Sequence, residues 1–161
     1  MGLLCDYFTA ASNAQAEETI DWIGGPGNPP QRGGLVRRSQ VAARPTVSLR
    51  GIEPTIWMGK LEEVLTGRSF DDILHDATGK VIAARDGGER QVAPLTASLQ
   101  DALAGIDDET VDEVAAQWAE PDEFYGTGAD TEFATSALRD LVRLVRAGRE
   151  RGEKLYCWVC V

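Results

Sequence analysis

Histidine occurs once, at position 75, and cysteine three times, at 5, 157 and 160, in a chain of 161 residues. An odd cysteine count argues against a disulfide framework and for reduced thiols. So few soft ligands leave one way to build a zinc site, from Cys5, His75, Cys157 and Cys160 together, with no second C-x-x-C to set its spacing. No run of about 18 apolar residues occurs, so no segment reads as a membrane-spanning helix. The opening MGLLCD has neither a basic region nor a long apolar segment and reads as no secretory signal, and Asp6 stands where a myristoylation motif needs Ser or Thr. A cytoplasmic protein is expected. Phosphate-binding glycine patterns are also missing, because GGPGNPPQRGG at 24–34 fits neither G-x-x-x-x-G-K-[ST] nor G-x-G-x-x-G.

What is present is acid. Sixteen Lys and Arg against 26 Asp and Glu leave a net charge of −10, which opposes general attraction to nucleic acid or to an anionic membrane. The charges are unevenly spread. Residues 32–50 hold five arginines and no acid, residues 51–136 hold nineteen acids against five bases, and residues 137–161 hold six bases against three acids. Basic patches on an acidic background follow, most simply as solvated faces.

With 43% hydrophobic residues the chain can build one sizeable core, and a single domain over 1–161 is expected. The pattern is α+β. GLLCDYF at 2–8 reads as a first strand, and Ser12 caps a short helix that runs to the glycines at 24–25. The loop at 24–34 is too rich in glycine and proline for a regular element. LVRRSQVAARPTVSLR supplies one or two short strands, which Pro45 confines to an edge. Pro54 begins an amphipathic helix closed by Gly67, Ser69 caps another through Ala77, and GKVIAARDGGER fits helix and strand alike. Thr96 precedes a helix halted at Gly105, Asp107 or Asp108 caps the next, and a long helix spans Glu132 to about Arg151 with an apolar face of Leu138, Leu141, Val142 and Val145. Three or four strands and five or six helices result, with both terminal segments in one small mixed sheet.

LYCWVCV, residues 155–161, decides how the cysteines are read. The stretch is too short and too aromatic for a helix, and as a strand it sends Leu155, Cys157 and Val159 to one face and Tyr156, Trp158 and Cys160 to the other. Two sulfurs on opposite faces cannot chelate one ion. Cys157 and Cys160 are therefore expected to pack as small apolar residues on a strand inside the sheet, with Tyr156 and Trp158 reaching polar partners at a rim. A catalytic pairing of Cys5 with His75 requires the fold to bring them together. Asp71 with Asp72, and the run Asp107 to Glu109, sit where helix starts favour negative charge.

The Met-Gly opening with Tyr7 and Phe8, Trp57 shortly before Leu65-Thr66-Gly67, Gly87-Gly88 ahead of an acidic helix, and a final long helix plus strand resemble a bacterial family of small cytoplasmic proteins of unknown function. That resemblance implies an α+β fold and carries over no catalytic residue. No catalytic or metal site and no cofactor is expected from the residues themselves. The expected function is non-enzymatic binding of a basic protein partner, as an inhibitor or immunity-type protein, because an acidic surface speeds encounter with a cation. The alternative is an enzyme or a protein binding an anionic small ligand, in which the 24–34 loop closes over Arg32, Arg37 and Arg38.

Overall fold

A computed structural model describes residues 2–30, 42–120 and 130–161. Five strands, β1 (Leu4–Ala10), β2 (Thr46–Ser48), β3 (Ala83–Arg85), β4 (Arg90–Pro94) and β5 (Lys154–Cys160), form one sheet in the order β2-β1-β5-β4-β3. The fold is α+β, with one strand more than the sequence pattern implies. Every pairing is antiparallel. The segment Gly79–Pro94, ambiguous in sequence, resolves into the hairpin β3–β4, because Gly87 at φ 69° and Gly88 at φ 102° turn the chain between two short strands. Both terminal segments lie in the sheet, β1 and β5 side by side with Leu4 opposite Cys160 and Ala10 opposite Lys154.

The helices are α1 (Asn13–Glu17), α2 (Ile56–Thr66), α3 (Phe70–Leu74), α4 (Ala97–Gly105), α5 (Val111–Ala119) and α6 (Thr131–Glu150), with short 3₁₀ turns at Glu18–Asp21, Ala77–Gly79 and Asp86–Gly88. Local chemistry sets their ends. Ser12, Ser69, Thr96 and Asp130 each accept a backbone N–H of the following turn through a side-chain oxygen. At α2 the capping group is the Glu53 carboxylate, which accepts from the N–H groups of Thr55, Ile56 and Trp57. The helix stops at Gly67, whose φ of 73° lets its N–H return to the Glu63 carbonyl. At α5 the expected carboxylate cap does not form. Thr110 precedes the helix and donates its hydroxyl to the Asp107 carbonyl, and the acids of 107–109 face solvent, Asp108 within reach of Arg146.

Four helices, α2, α4, α5 and α6, cover one face of the sheet and share a core with Cys5, Tyr7, Leu155 and Cys157. The other face carries a smaller cluster of Phe8, Ala10, Val92, Tyr156 and Trp158, closed by Ala16 and Ile20 of the N-terminal helical turn. β5 is thus buried on both sides, which explains its unbroken apolar run. The period-2 expectation holds, since Leu155 and Cys157 join the larger cluster while Tyr156 and Trp158 join the smaller. One detail is corrected. Tyr156 donates its hydroxyl to Asn13 at 2.8 Å, but the indole N–H of Trp158 is buried with no partner among the described residues, although Asp6 stands opposite it on β1.

Close helix-to-sheet contact needs small residues. At Gly148 a Cβ would sit 2.7 Å from Cγ2 of the buried Thr9, so only glycine lets α6 lie this near β1. Gln100 ties α4 to the sheet: its Nε2 donates to the Leu95 carbonyl at 2.8 Å and its Oε1 accepts from the Leu155 N–H at 2.8 Å.

Candidate functional site

Arg32, Arg37 and Arg38, the anion-binding candidates, lie outside the described residues, as do residues 31–34 of the glycine and proline loop. The C-terminal basic stripe is described, and it is consumed internally. Arg139 pairs with Asp112 at 2.9 Å, Arg146 with Asp108 at 3.2 Å, and Arg149 with Asp101, while Arg151 binds Glu153 at 2.5 Å. Arg146 also donates to the carbonyls of Ala104 and Ile106 at the end of α4. These arginines clamp α6 to its neighbours.

The thiols and the histidine are not brought together. Cys5 and Cys157 are buried on the helix-covered face beside Tyr7, Cys160 points to the opposite face, and His75 is exposed at the end of α3 with Nδ1 2.7 Å from the Asp71 carbonyl. Among the described residues no group of three or more metal-ligating side chains occurs. Burial pushes the Cys157 thiol well above its usual range, the neighbouring Cys5 adding to the effect, so it is a poor nucleophile. Tyr7 is shifted the same way, first by burial and then by the two thiols, and donates its hydroxyl to the Ile52 carbonyl at 2.6 Å.

A polar cluster that the sequence reading passed over lies between α2, α3 and the start of α4. Its centre is Glu62, an acid only 1% exposed. Glu62 Oε1 accepts from Arg68 Nη1 at 2.8 Å and from the Ser98 hydroxyl, and Oε2 accepts from the Thr96 hydroxyl at 2.5 Å. Arg68 Nη1 also reaches Asp76 Oδ2 at 3.0 Å. The hydroxyl and backbone N–H of Thr78 hold the Asp76 carboxyl below its ordinary range, with Arg68 contributing less, and Arg68 is in turn raised chiefly by its bond to Asp76. A buried carboxylate needs such partners, since an unpaired one costs several kcal/mol, about 3–5 where a partner is removed.

The cluster closes one end of a cavity of about 240 Å³ lined by Met58, Glu62, Ile73, Asp76, Thr96 and Leu99 among others. A signal for it existed in the sequence. Glu62 falls four residues after Met58 and three before Leu65, on the apolar stripe of α2 where a carboxylate has no reason to sit unless it is partnered.

The acids of 51–136 gather most densely around α5. Asp107, Asp108, Glu109, Asp112, Glu113 and Glu120 are all exposed, and Arg139 and Arg146 approach two of them. No helix among the described residues is long and apolar enough to cross a membrane.

No protein-family model matches the chain, and neither does any curated protein or solved structure. The reading of these sites therefore rests on their own geometry, and the family resemblance remains an expectation drawn from sequence.

Proposed function

We propose that the protein is a non-enzymatic binding partner of a basic protein, acting as an inhibitor or immunity-type protein. The observation that supports this reading is the acidic ridge about α5, where five exposed acids from Asp107 to Glu113 at its start and Glu120 at its end meet two arginines from α6. The excess of carboxylates there keeps a local negative field, which accelerates encounter with a cationic surface and weakens as salt shortens its range to about 8–10 Å.

The two arginines reach Asp112 and Asp108, which leaves Asp107, Glu109, Glu113 and Glu120 to set the sign of the field. The experiment is capture from native lysate at low and moderate salt, with wild type beside Glu109→Lys/Glu113→Lys. A stoichiometric basic partner, weakened by salt and lost in the charge-reversed variant, is the expected result. Recovery of no stoichiometric partner in either condition, or capture unchanged by the reversal, refutes the proposal.

A further inference from the structure

The cavity beside Glu62 has a chemistry that the proposed protein–protein role does not use. Its walls are apolar, formed by Met58 and Ile73 from the helices and Val159 from β5. Leu74 and Val81, 38% and 50% exposed, mark its mouth. A 240 Å³ space exceeds the roughly 150 Å³ dry cavity that holds benzene and falls below the range of about 300–1,000 Å³ for drug-sized ligands. It suits one ring and a short substituent.

The polar end of the cavity is made of acceptors. Glu62, Asp76 and Thr96 line it, while Arg68, Ser98 and Thr78, which donate to the two carboxylates, stand outside the lining. The Thr96 hydroxyl is already spent on Glu62 Oε2, and its oxygen accepts from the Leu99 N–H. Glu62 accepts from Arg68, Ser98 and Thr96, and Asp76 from Arg68 and twice from Thr78, so each carboxylate has three of its roughly four acceptor positions filled and one open. Of the other donor-bearing side chains in the wall, Lys80 Nζ is turned to the Leu74 carbonyl at 3.3 Å and Gln91 Nε2 to the Gly88 carbonyl at 2.9 Å, and Thr55 adds a hydroxyl.

We propose that this cavity binds a small molecule with an apolar body and a hydrogen-bond-donating head, an ammonium or a hydroxyl, directed at Glu62 and Asp76. The body fills the wall between Met58 and Val159, and the head donates to the acceptor position that each carboxylate keeps open. A carboxylate in the same place meets two carboxylates, and the one cation in the lining, Lys80, is turned to the Leu74 carbonyl, so the site discriminates by the sign of its hydrogen bonding.

Benzylamine and benzyl alcohol serve as donor-headed probes and phenylacetate as the acceptor-headed control, each titrated into the ¹⁵N-labelled full chain and followed by amide chemical shifts. Saturable shifts at Gly59, Gly79 and Leu95 are expected with both donor probes, and binding of phenylacetate about tenfold weaker or weaker still. Glu62→Gln should lower benzylamine affinity by about tenfold. Because loss of a buried carboxylate can itself disturb folding, Val81→Trp gives the second variant: the change is at an exposed position, and the indole occludes the mouth. Loss of the shifts in Val81→Trp with the amide spectrum otherwise retained supports the site. Phenylacetate binding as tightly as benzylamine, shifts that persist in Val81→Trp, or no saturable shift with either donor probe overturns the proposal.

Discussion

Gly148 offers the sharpest test of how α6 is seated on the sheet. Replacing it with alanine puts a Cβ 2.7 Å from Thr9 Cγ2 and 3.2 Å from Thr9 Cβ, and Thr9 is 1% exposed, with no free volume to retreat into. Overpacking of this kind costs about 1–3 kcal/mol. Alanine in place of glycine returns up to about 1 kcal/mol of helix propensity. Gly148→Ala alone should therefore lower stability by about 0–2 kcal/mol. Thr9→Ser removes the clashing methyl while keeping the hydroxyl that Arg151 reaches at 3.4 Å. In that background only the 3.2 Å contact remains, tight enough for a small adjustment to relieve, and Gly148→Ala should become neutral or stabilising. Urea unfolding of the four proteins, followed by circular dichroism, closes the cycle, with a coupling of about 1–2 kcal/mol expected. If alanine stabilises the wild type by about 1 kcal/mol, and equally in both backgrounds, α6 does not lie against β1 as described and the reasoning fails.

Three further outcomes follow. Trp158→Phe removes an indole N–H that is buried without a partner and should change stability by less than about 1 kcal/mol, whereas Trp118→Phe leaves the Trp57 carbonyl without its 2.9 Å bond and opens space in the larger core, costing about 2–4 kcal/mol by the same urea measurement. Equal effects at the two tryptophans would contradict the assignment. Removing residues 155–161 takes Leu155, Tyr156, Cys157 and Trp158 out of the centre of the sheet at about 1.5–3 kcal/mol each, which rivals the whole stability of about 5–15 kcal/mol, so the truncated chain should lack a cooperative thermal transition; a sharp one would refute β5's place. Burial raises the folded-state pKa of Cys157 and Tyr7 above their ordinary values of 9.0 and 10.0, so the folded chain keeps protons that the unfolded chain releases. Their contribution is complete below about pH 9 and is lost as pH rises beyond it, by at most about 1.4 kcal/mol per pH unit per group. Denaturant midpoints between pH 7 and 11 should fall on the alkaline side, and Cys157→Ala should flatten the first part of that fall; an unchanged alkaline limb in the variant would count against it.

The parts of the fold that were legible in sequence are those where a periodic pattern meets a local stop signal. Leu155–Val161 was readable because strand alternation is rigid and leaves no choice of face once the segment is extended. Helix α2 was readable because Gly67 ends it, and α4 because Thr96 begins it. The hairpin β3–β4 was not, since β3, Ala83–Arg85, is three residues long and too short for either period to declare itself. Trp158 was misjudged for a different reason. A strand pattern fixes which face an indole takes, but whether its N–H finds an acceptor depends on the neighbouring strands and on a helical turn far away in sequence. Glu62 was missed because a glutamate in an amphipathic helix reads as part of the wet face by default. Its donors are Arg68, Thr96 and Ser98, two of them more than thirty residues away, and only the tertiary fold joins them.

Charge composition was the weakest guide, and α6 explains why. A count of six bases in the last twenty-five residues implies a basic patch, yet Arg139, Arg146 and Arg149 reach across to acids of α4, α5 and the segment between them, and the patch disappears into the helix packing. Exposed pairs of this kind are worth about 0–1 kcal/mol each, so their effect is on the electrostatic surface more than on stability. By holding Asp101, Asp108 and Asp112 they leave Asp107, Glu109, Glu113 and Glu120 to define the field at α5. The two effects of salt then separate. Screening weakens those pairs but also relieves the self-repulsion of a chain at −10, so folding stability is nearly balanced, while attraction of a basic partner has no such compensation. A salt-dependent loss of binding at unchanged stability thus isolates the acidic ridge from the fold that carries it.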